Sequence, residues 1–417
     1  MITIQKSSLY ALFVVLLLTT EFFYIDLGGG TARIYHFVAL LLAIVHAPGI
    51  LRLLKSPLVL ILLMLVGVNF VAAALSDRSA SALASLTSFL ANLTVAMVVA
   101  VLLARGRLSL DRVVHVILTV SVVSVFWSLL QIMALQAGLV LALSKEQQAQ
   151  LMIGFGPGFR TEANTFGKYL LFTLLFFLPA LVRRPRDLRL RASYLFLLAG
   201  FFINFTRTAT YGLLVGLVFA GAWYVRSGRG ALLSARIVRL VAGGMLILGL
   251  LLSGLVPLSD YARYKVENFF NREEILTGGS SAYRLGSMVT VVESSISDGS
   301  KLVIGNGWGQ TQAEVQGMEV QGGGGDVVNF LGWGGLISVA LYLLYTSVLW
   351  RAMHRVARRH EDPGLVQVAE GILFASVGMF VTGQLSGYLI APEYYLLMGM
   401  AIYVELTAMG RLAGGGR

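Results

Sequence analysis

Cysteine is absent from the 417-residue chain. Disulfides, thiolate nucleophiles, iron–sulfur clusters and cysteine-ligated zinc are thereby excluded. Histidine is scarce: His36, His46, His115, His354 and His360 are the full set. They are scattered, with no His-x-x-x-His or His-Glu-x-x-His spacing, so no metal site is expected. Charge is short as well. Charged residues make up 13% of the chain, against about 25% in soluble domains. With 57% hydrophobic residues and a mean hydropathy of +0.79, a soluble protein could not cover its own surface. Disordered chains need the opposite composition. Four consecutive glycines, Gly322 to Gly325, lack a following Lys-Ser or Lys-Thr, so they form no nucleotide cradle. No cofactor is called for. What is left is an all-α polytopic membrane protein.

A bilayer core of roughly 30 Å takes about 20 apolar residues per helix. About twelve candidate spans meet that measure: Leu9–Tyr24, Tyr35–Leu51, Leu58–Leu75, Thr87–Leu103, Val113–Leu135, Phe166–Val182, Ala192–Phe205, Ala209–Tyr224, Ile237–Val256, Val327–Trp350, Val366–Ser386 and Tyr395–Met409. No small-residue cleavage site follows the first, so it is expected to be retained. The twelve are expected to form a single transmembrane domain over residues 1–417.

The net charge of +11 then acquires a direction. With a cytoplasmic N-terminus, the inner loops and both tails hold 21 of the 32 Lys and Arg residues, which sets the orientation by the positive-inside rule. Five arginines fall between Arg183 and Arg191, and four between Arg351 and Arg359. Topological anchoring and contact with anionic headgroups account for them. They flank spans and form no separate basic domain, so no nucleic-acid partner is expected.

Two outer segments are long, Gln136–Thr165 and Pro257–Asp326, and long loops in compact proteins usually carry function. In the second, Ser280-Ser281 can cap a helix running to about Ser297, with Gly299 as its stop. Ala282, Leu285, Met288, Val289, Val292 and Ile296 recur at near-helical spacing, predicting an apolar face that rests on the membrane domain. Gly305-Asn306-Gly307-Trp308-Gly309 reads as a tight turn. No internal repeat and no inverted pair of broken helices is visible.

Four constellations can carry chemistry. In Gly154-Phe155-Gly156-Pro157-Gly158-Phe159-Arg160-Thr161-Glu162-Ala163-Asn164, glycines permit close approach of a ligand, Asn164 can cap the next helix, and Arg160 and Glu162 stand above the membrane surface. The plainer alternative is a turn with a local Arg–Glu pair. In Thr206-Arg207-Thr208 two spans meet with almost no linker. Arg207 at the interface snorkels to lipid phosphate or holds the phosphate of a bound lipid, which its planar fork suits. In Tyr283-Arg284 a cation sits in the first turn of a predicted helix, disfavoured by the macrodipole unless an anion is shared there. Asp326 and Asn329, one turn apart, can face the same way. Asp326 is a helix cap or a carboxylate base. Glu370 and Glu405 lie near the cytoplasmic ends of their spans, where interfacial placement or a local ion pair is favoured over proton relay.

The order of these pieces resembles the O-antigen ligase/polymerase family of bacterial envelope-glycan enzymes. The matching residues are Gly158–Gly167, Thr206-Arg207-Thr208, Tyr283-Arg284, Gly305–Gly309, and Asn329 near Gly334-Gly335-Leu336; together they cover about Gly154 to Leu336. The resemblance implies a GT-C-like fold with a large, partly helical periplasmic loop in the bacterial inner membrane, both termini cytoplasmic and the active site facing the periplasm. It implies glycan transfer from an undecaprenyl diphosphate donor without a metal. Arg207, Arg284 and Arg160 would contact the diphosphate; Asn329, Tyr283 and Trp308 would contact glycan; Asp326 or Glu162 would act as base. A chain-length regulator is a candidate partner besides the bilayer itself. Ligases of this family typically carry a histidine just before the span that Asn329 opens. Here the segment reads Asp326-Val327-Val328-Asn329, with no histidine between His115 and His354. That departure favours a polymerase over a ligase. A transporter would instead place charged or unwound sites near the bilayer midplane.

Overall fold

A computed structural model describes residues 6–19, 24–26, 31–152, 155–160, 162–204, 206–228, 279–308, 313–315, 318–320, 324–387 and 391–410. Among them the chain is overwhelmingly helical. The helices are α1 (Lys6–Leu18), α2 (Ile34–Val45), α3 (Ala47–Arg52), α4 (Pro57–Leu75), α5 (Ser79–Ala104), α6 (Leu110–Gln136), α7 (Lys145–Met152), α8 (Ala163–Arg183), α9 (Leu188–Ile203), α10 (Arg207–Arg226), α11 (Gly279–Ile296), α12 (Gly299–Ile304), α13 (Asp326–Arg359), α14 (Pro363–Ser386) and α15 (Pro392–Ala408). Two short antiparallel pairs interrupt them: β1 (Tyr24–Asp26) with β2 (Thr31–Arg33), and β3 (Ala313–Val315) with β4 (Met318–Val320).

Among the described residues, seven helices (α4, α5, α6, α8, α10, α13 and α14) are long and apolar enough to cross a membrane, and α2 with its continuation to Lys55 makes an eighth if that bent pair is one span. All lie on apolar runs that the sequence marks as spans. The chain is thus a multi-pass helical membrane protein. The run Ile237–Val256 lies outside the described residues, and α9 and α15 are 16 and 17 residues long.

Three spans differ from expectation. The first was expected to reach Tyr24, but α1 stops at Leu18 and Tyr24–Asp26 is a strand. Aromatic and β-branched residues there suit a pleated pairing. The second is bent by 80° at His46. Pro48 stands at the start of α3, where it lacks an N–H and would clash with the preceding turn of a continuous helix. The tenth is broken at Gly335, where φ is +66° and ψ −166°.

The chain divides into two compact units, each assembled from three stretches. The first comprises Met1–Tyr35, Arg107–Phe269 and Asp362–Val381; the second comprises His36–Gly106, Phe270–Glu361 and Thr382–Arg417. In the first unit α8 is buried along nearly its whole length and packs against α9 and α10. At one end Glu370 is fully enclosed and accepts from Arg183 at 2.8 Å and from the Tyr224 hydroxyl at 3.2 Å. Of the two expected arrangements, interfacial placement or a local ion pair, it takes the ion pair. Removing one partner of a buried pair strands the other charge, at a cost of about 3 kcal/mol or more. Arg183→Ala should therefore destabilise more than the double variant Arg183→Ala/Glu370→Gln, a comparison that thermal unfolding in detergent can make.

In the second unit α5 packs on α15 and α4 packs on α13. Ser56, the residue before α4, donates its hydroxyl to Glu405 of α15. Helix α11 begins at Gly279, so Ser280 and Ser281 lie inside its first turn and do not cap it. Gly299 opens α12, capped by Asp298, and stops nothing. The Ser300 hydroxyl and N–H both donate to Asp298, holding its carboxyl below the usual carboxylate range. The buried line of α11 is Ser287, Val291 and Ser295, whereas Leu285, Val289 and Ile296 are exposed. Small residues let helix backbones approach closely, so the serine line, and not the larger apolar row, meets α12 and α13.

Candidate functional site

The first unit holds Arg160, Glu162 and Arg207. Residues 155–160 form a buried loop that carries backbone groups needing partners. Polar side chains of α6 and α7 supply them. Ser128 donates to the Gly156 carbonyl at 2.5 Å, the Phe159 N–H donates to Ser124 Oγ at 3.1 Å, and the Gly158 N–H donates to Gln131 Oε1 at 3.1 Å. Gln147 Nε2 donates to the carbonyls of Gly158 and Arg160 at 3.2 and 2.7 Å. The glycines are needed for this packing: a Cβ at Gly156 would lie 2.3 Å from the Ser128 carbonyl oxygen. They bring the loop onto α6, where the sequence suggested room for a ligand. Gly154 and Thr161 lie outside the described residues.

The loop delivers Arg160 to a buried position, with its guanidinium 4.5 Å above the Tyr169 ring. Glu162 is exposed and is itself the residue before α8; Asn164, expected as the cap, lies within the first turn. Arg207 is the first residue of α10 and is half-buried. Thr206 precedes it, buried, and its hydroxyl has no hydrogen-bond partner among the described residues.

The second unit holds Tyr283, Arg284, Trp308, Asp326 and Asn329. Its organising feature is the break in α13. A helix broken at Gly335 leaves the carbonyls of the preceding turn without intrahelical N–H donors. The loop after α12 fills that gap: the Asn306 N–H donates to the Gly332 carbonyl at 2.8 Å and the Gly307 N–H to the Trp333 carbonyl at 3.0 Å. The approach is so close that a Cβ at Gly305 would lie 2.5 Å from the Gly334 nitrogen, and one at Gly335 would lie 2.2 Å from the Val303 carbonyl oxygen. The two glycine motifs of the sequence are thus halves of one backbone junction. Trp308 is buried inside it, its ring centroid 4.4 Å from Phe89, 4.5 Å from Trp333 and 6.0 Å from Phe330. That placement gives Trp308 packing work, and the structure offers no open ring face for the sugar contact expected of it. Asn69 Oδ1, Asn306 Nδ2 and Trp333 Nε1 are buried without hydrogen-bond partners among the described residues, the groups that ordered water commonly satisfies.

The break also folds α13 back on itself. Tyr342 follows Asp326 by 16 residues, about 24 Å along a continuous helix, yet its hydroxyl donates to Asp326 Oδ2 at 3.4 Å. The Phe330 and Tyr342 rings stand 4.7 Å apart. Gly325, not Asp326, is the cap residue, and Asp326 sits buried in the first turn. Gln384 near the end of α14 accepts from the Val327 N–H at 3.2 Å. A Cβ at Gly387 would stand 3.6 Å from Asn329 Nδ2 and 3.7 Å from Asp326 Oδ1, so the two side chains face one point, as their spacing suggested. Arg284 lies in the second turn of α11, beyond the first turn where a cation opposes the dipole most. Its stem borders the residue before the Gly325 cap: a Cβ at Gly324 would be 3.3 Å from Arg284 Cβ. Tyr283 falls within α11; its side chain lies outside what is described.

Sequence reasoning missed Lys168, Tyr342, Gln384 and Glu393, of which Lys168, Tyr342 and Glu393 are buried. Lys168 and Glu393 each stand inside an apolar run, a signal the sequence does carry. Tyr342 and Gln384 reach Asp326 and its helix only through the fold. Among the described residues no group of three His, Asp or Glu side chains is placed to hold a metal ion.

The architecture defines the class, a multi-pass helical membrane protein with buried polar groups at helix starts in each unit. No protein-family model matches the chain, and no curated protein matches it.

Proposed function

We propose that this protein is a glycan polymerase joining undecaprenyl-diphosphate-linked repeat units at the periplasmic face of the bacterial inner membrane. The observation that carries the reading is the start of α13, where buried Asp326 and Asn329 face one point and the Arg284 stem borders the same helix start. A carboxylate and a carboxamide that face one point, with an arginine on the neighbouring helix, are groups that displacement of a diphosphate by a sugar hydroxyl can use.

In the proposed reaction an acceptor sugar hydroxyl attacks the anomeric carbon of the donor. The new glycosidic bond forms as the bond to the diphosphate oxygen breaks. Asp326 takes the hydroxyl proton, and undecaprenyl diphosphate leaves with the electron pair. Arg284 stabilises the diphosphate as charge grows on it, and Asn329 orients the acceptor glycan. In the first unit, Arg207 and Arg160 hold lipid phosphate. Glu162, being exposed, is the weaker candidate base. The proposal includes twelve crossings, a GT-C-like fold and cytoplasmic termini.

Replacement of Arg207 or Arg284 by Ala should lower polymer formation from purified lipid-linked repeat unit by about a hundredfold. Near-normal turnover in both variants would sink the reading. A ladder of chain lengths is expected from wild-type protein; a single transfer to a second acceptor would make the enzyme a ligase, and substrate flux without bond formation would make it a transporter.

The orientation has its own test, because a chain without cysteine accepts single reporters cleanly. Ser300→Cys should react with an impermeant maleimide in intact cells whose outer membrane is permeabilised. Arg189→Cys should react only after lysis. The reverse pattern would invert the topology and exclude a periplasmic site.

A further inference from the structure

We infer that Gln384, near the end of α14, is the positioning residue that holds the Asp326 carboxylate in place. It acts in two ways, by capping the helix start that carries Asp326 and by turning the Tyr342 hydroxyl toward it. That the held carboxylate then serves as a base rests on the function proposed above; the contacts themselves do not.

Helix α13 has no cap of its own. Gly325 stands at the cap position without a side chain to offer, so the first N–H groups need acceptors from elsewhere. Gln384 supplies one, accepting from the Val327 N–H at 3.2 Å. It lies in the part of α14 that belongs to the second unit, with Asp326 and Tyr342. The bare Gly325 backbone lets α14 come this close, because a Cβ there would lie 2.3 Å from the Gln384 carbonyl oxygen. Three residues further on, Gly387 borders Asp326 and Asn329. The end of α14 thus seats the first turn of α13 through both backbone and side chain.

The bond to Val327 also decides which way the Gln384 carboxamide points. An N–H only donates, so the carboxamide oxygen faces Val327 and the NH2 is turned away from it. The same side chain hydrogen-bonds Tyr342. The NH2 only donates, so the Tyr342 oxygen accepts from it. The hydroxyl proton of Tyr342 is then directed at Asp326 Oδ2, 3.4 Å away. Donation therefore runs from Gln384 to Tyr342 to Asp326. Tyr342 is 3% exposed and Asp326 2%, and in such an enclosed place a hydrogen-bond network rigidifies its members. With Oδ2 engaged, Oδ1 lies on the side of Gly387 and Asn329: a Cβ on Gly387 would stand 3.7 Å from it and 3.6 Å from Asn329 Nδ2. The acceptor hydroxyl of the proposed reaction would meet Asp326 on that side.

The test uses the full-length protein in nanodiscs with lipid-linked repeat unit as substrate. Wild type is compared with Gln384→Met, Gln384→Glu, Tyr342→Phe and Gln384→Met/Tyr342→Phe. Methionine keeps the length and removes both contacts. Glutamate keeps an acceptor for Val327 and removes the donor to Tyr342. Gln384→Met should lower kcat about tenfold with KM within about twofold of wild type, as loss of two hydrogen bonds that act on the base does. Amide hydrogen exchange at Val327 should quicken about fivefold in Gln384→Met. In Gln384→Glu it should keep the wild-type rate while kcat still falls several-fold, a separation that a merely structural cap would not give. Because it keeps the cap, Gln384→Glu reads the Tyr342 contact even if Gln384→Met fails to fold. The double variant should lose at least about threefold less kcat than the product of the two single losses, since members of one network couple. Wild-type kcat in Gln384→Met would overturn the inference, as would single losses that simply multiply in the double variant or full kcat in Gln384→Glu. If wild-type protein forms no glycosidic bond, the polymerase reading falls and exchange alone decides the role of Gln384. Quickening at Val327 in Gln384→Met then upholds it, and an unchanged rate overturns it.

Discussion

Asp326→Asn is expected to remove polymer formation almost entirely while leaving the protein folded and able to bind its donor. The carboxamide is isosteric, so it keeps the packing against Tyr342 and Gly387 and can still accept from the Tyr342 hydroxyl, which stands 3.4 Å from Asp326 Oδ2. What it cannot do is take a proton from the attacking hydroxyl. Positioned general bases typically contribute about 10²- to 10⁴-fold, so a loss of at least about a hundredfold in kcat is expected, with donor affinity nearly unchanged. Single-turnover measurement with lipid-linked repeat unit separates the two quantities. Tyr342→Phe removes only the hydroxyl that orients the carboxylate and should cost several-fold at most. If Asp326→Asn retains wild-type kcat, the base lies elsewhere, and buried Glu393 at the start of α15 is the next residue to replace.

Gly335→Ala should be strongly damaging for a single added methyl group. Two independent penalties act at one position. The residue has a φ of +66° and a ψ of −166°, a region essentially reserved for glycine, where a side chain costs about 1–3 kcal/mol. The added Cβ would also lie 2.2 Å from the Val303 carbonyl oxygen, a backbone atom that cannot rotate away, and overpacking of this kind costs about 1–3 kcal/mol. Together they amount to about 3 kcal/mol, enough to lower the unfolding temperature in detergent by several degrees. The junction also sets the angle that brings Tyr342 back to Asp326, so activity should fall further than stability alone explains. A control is Gly67→Ala in α4, where an added Cβ meets nothing within 4 Å. Alanine there should be neutral or slightly stabilising, because it restricts the unfolded chain and suits a helix. Equal effects at the two positions would remove the special role given to the break.

Much of the candidate site was visible as residue types and much of its geometry was not. The spacing of Asp326 and Asn329 correctly placed both side chains on one side, because three residues make nearly one helical turn. The same reasoning put Arg284 in a first turn and Ser280-Ser281 in a cap, and the helix began earlier than both. Helix ends depend on a few backbone bonds, and small polar residues near Gly279 permit more than one start. The apolar row of α11 was read as its packed face, yet the serine line is inside. Periodicity reports which residues avoid water, and beside a membrane lipid satisfies them as well as protein does. The resemblance made Trp308 a glycan contact, but Phe89, Trp333 and Phe330 surround it.

The sequence by itself determined that this is a helical membrane protein, where its principal spans lie, and that cysteine chemistry has no part in it. Those properties follow from local composition, since a run of apolar residues needs no partner to declare itself. Only the tertiary structure decided that Gly305–Gly307 and Gly332–Gly335 form one junction. The same holds for the return of Tyr342 to Asp326 across a broken helix, and for the burial of Lys168 beside Thr206. Each of these joins residues well apart in the chain, through backbone contacts or enclosed charge. In the sequence, glycines and a single lysine in an apolar run were their only trace.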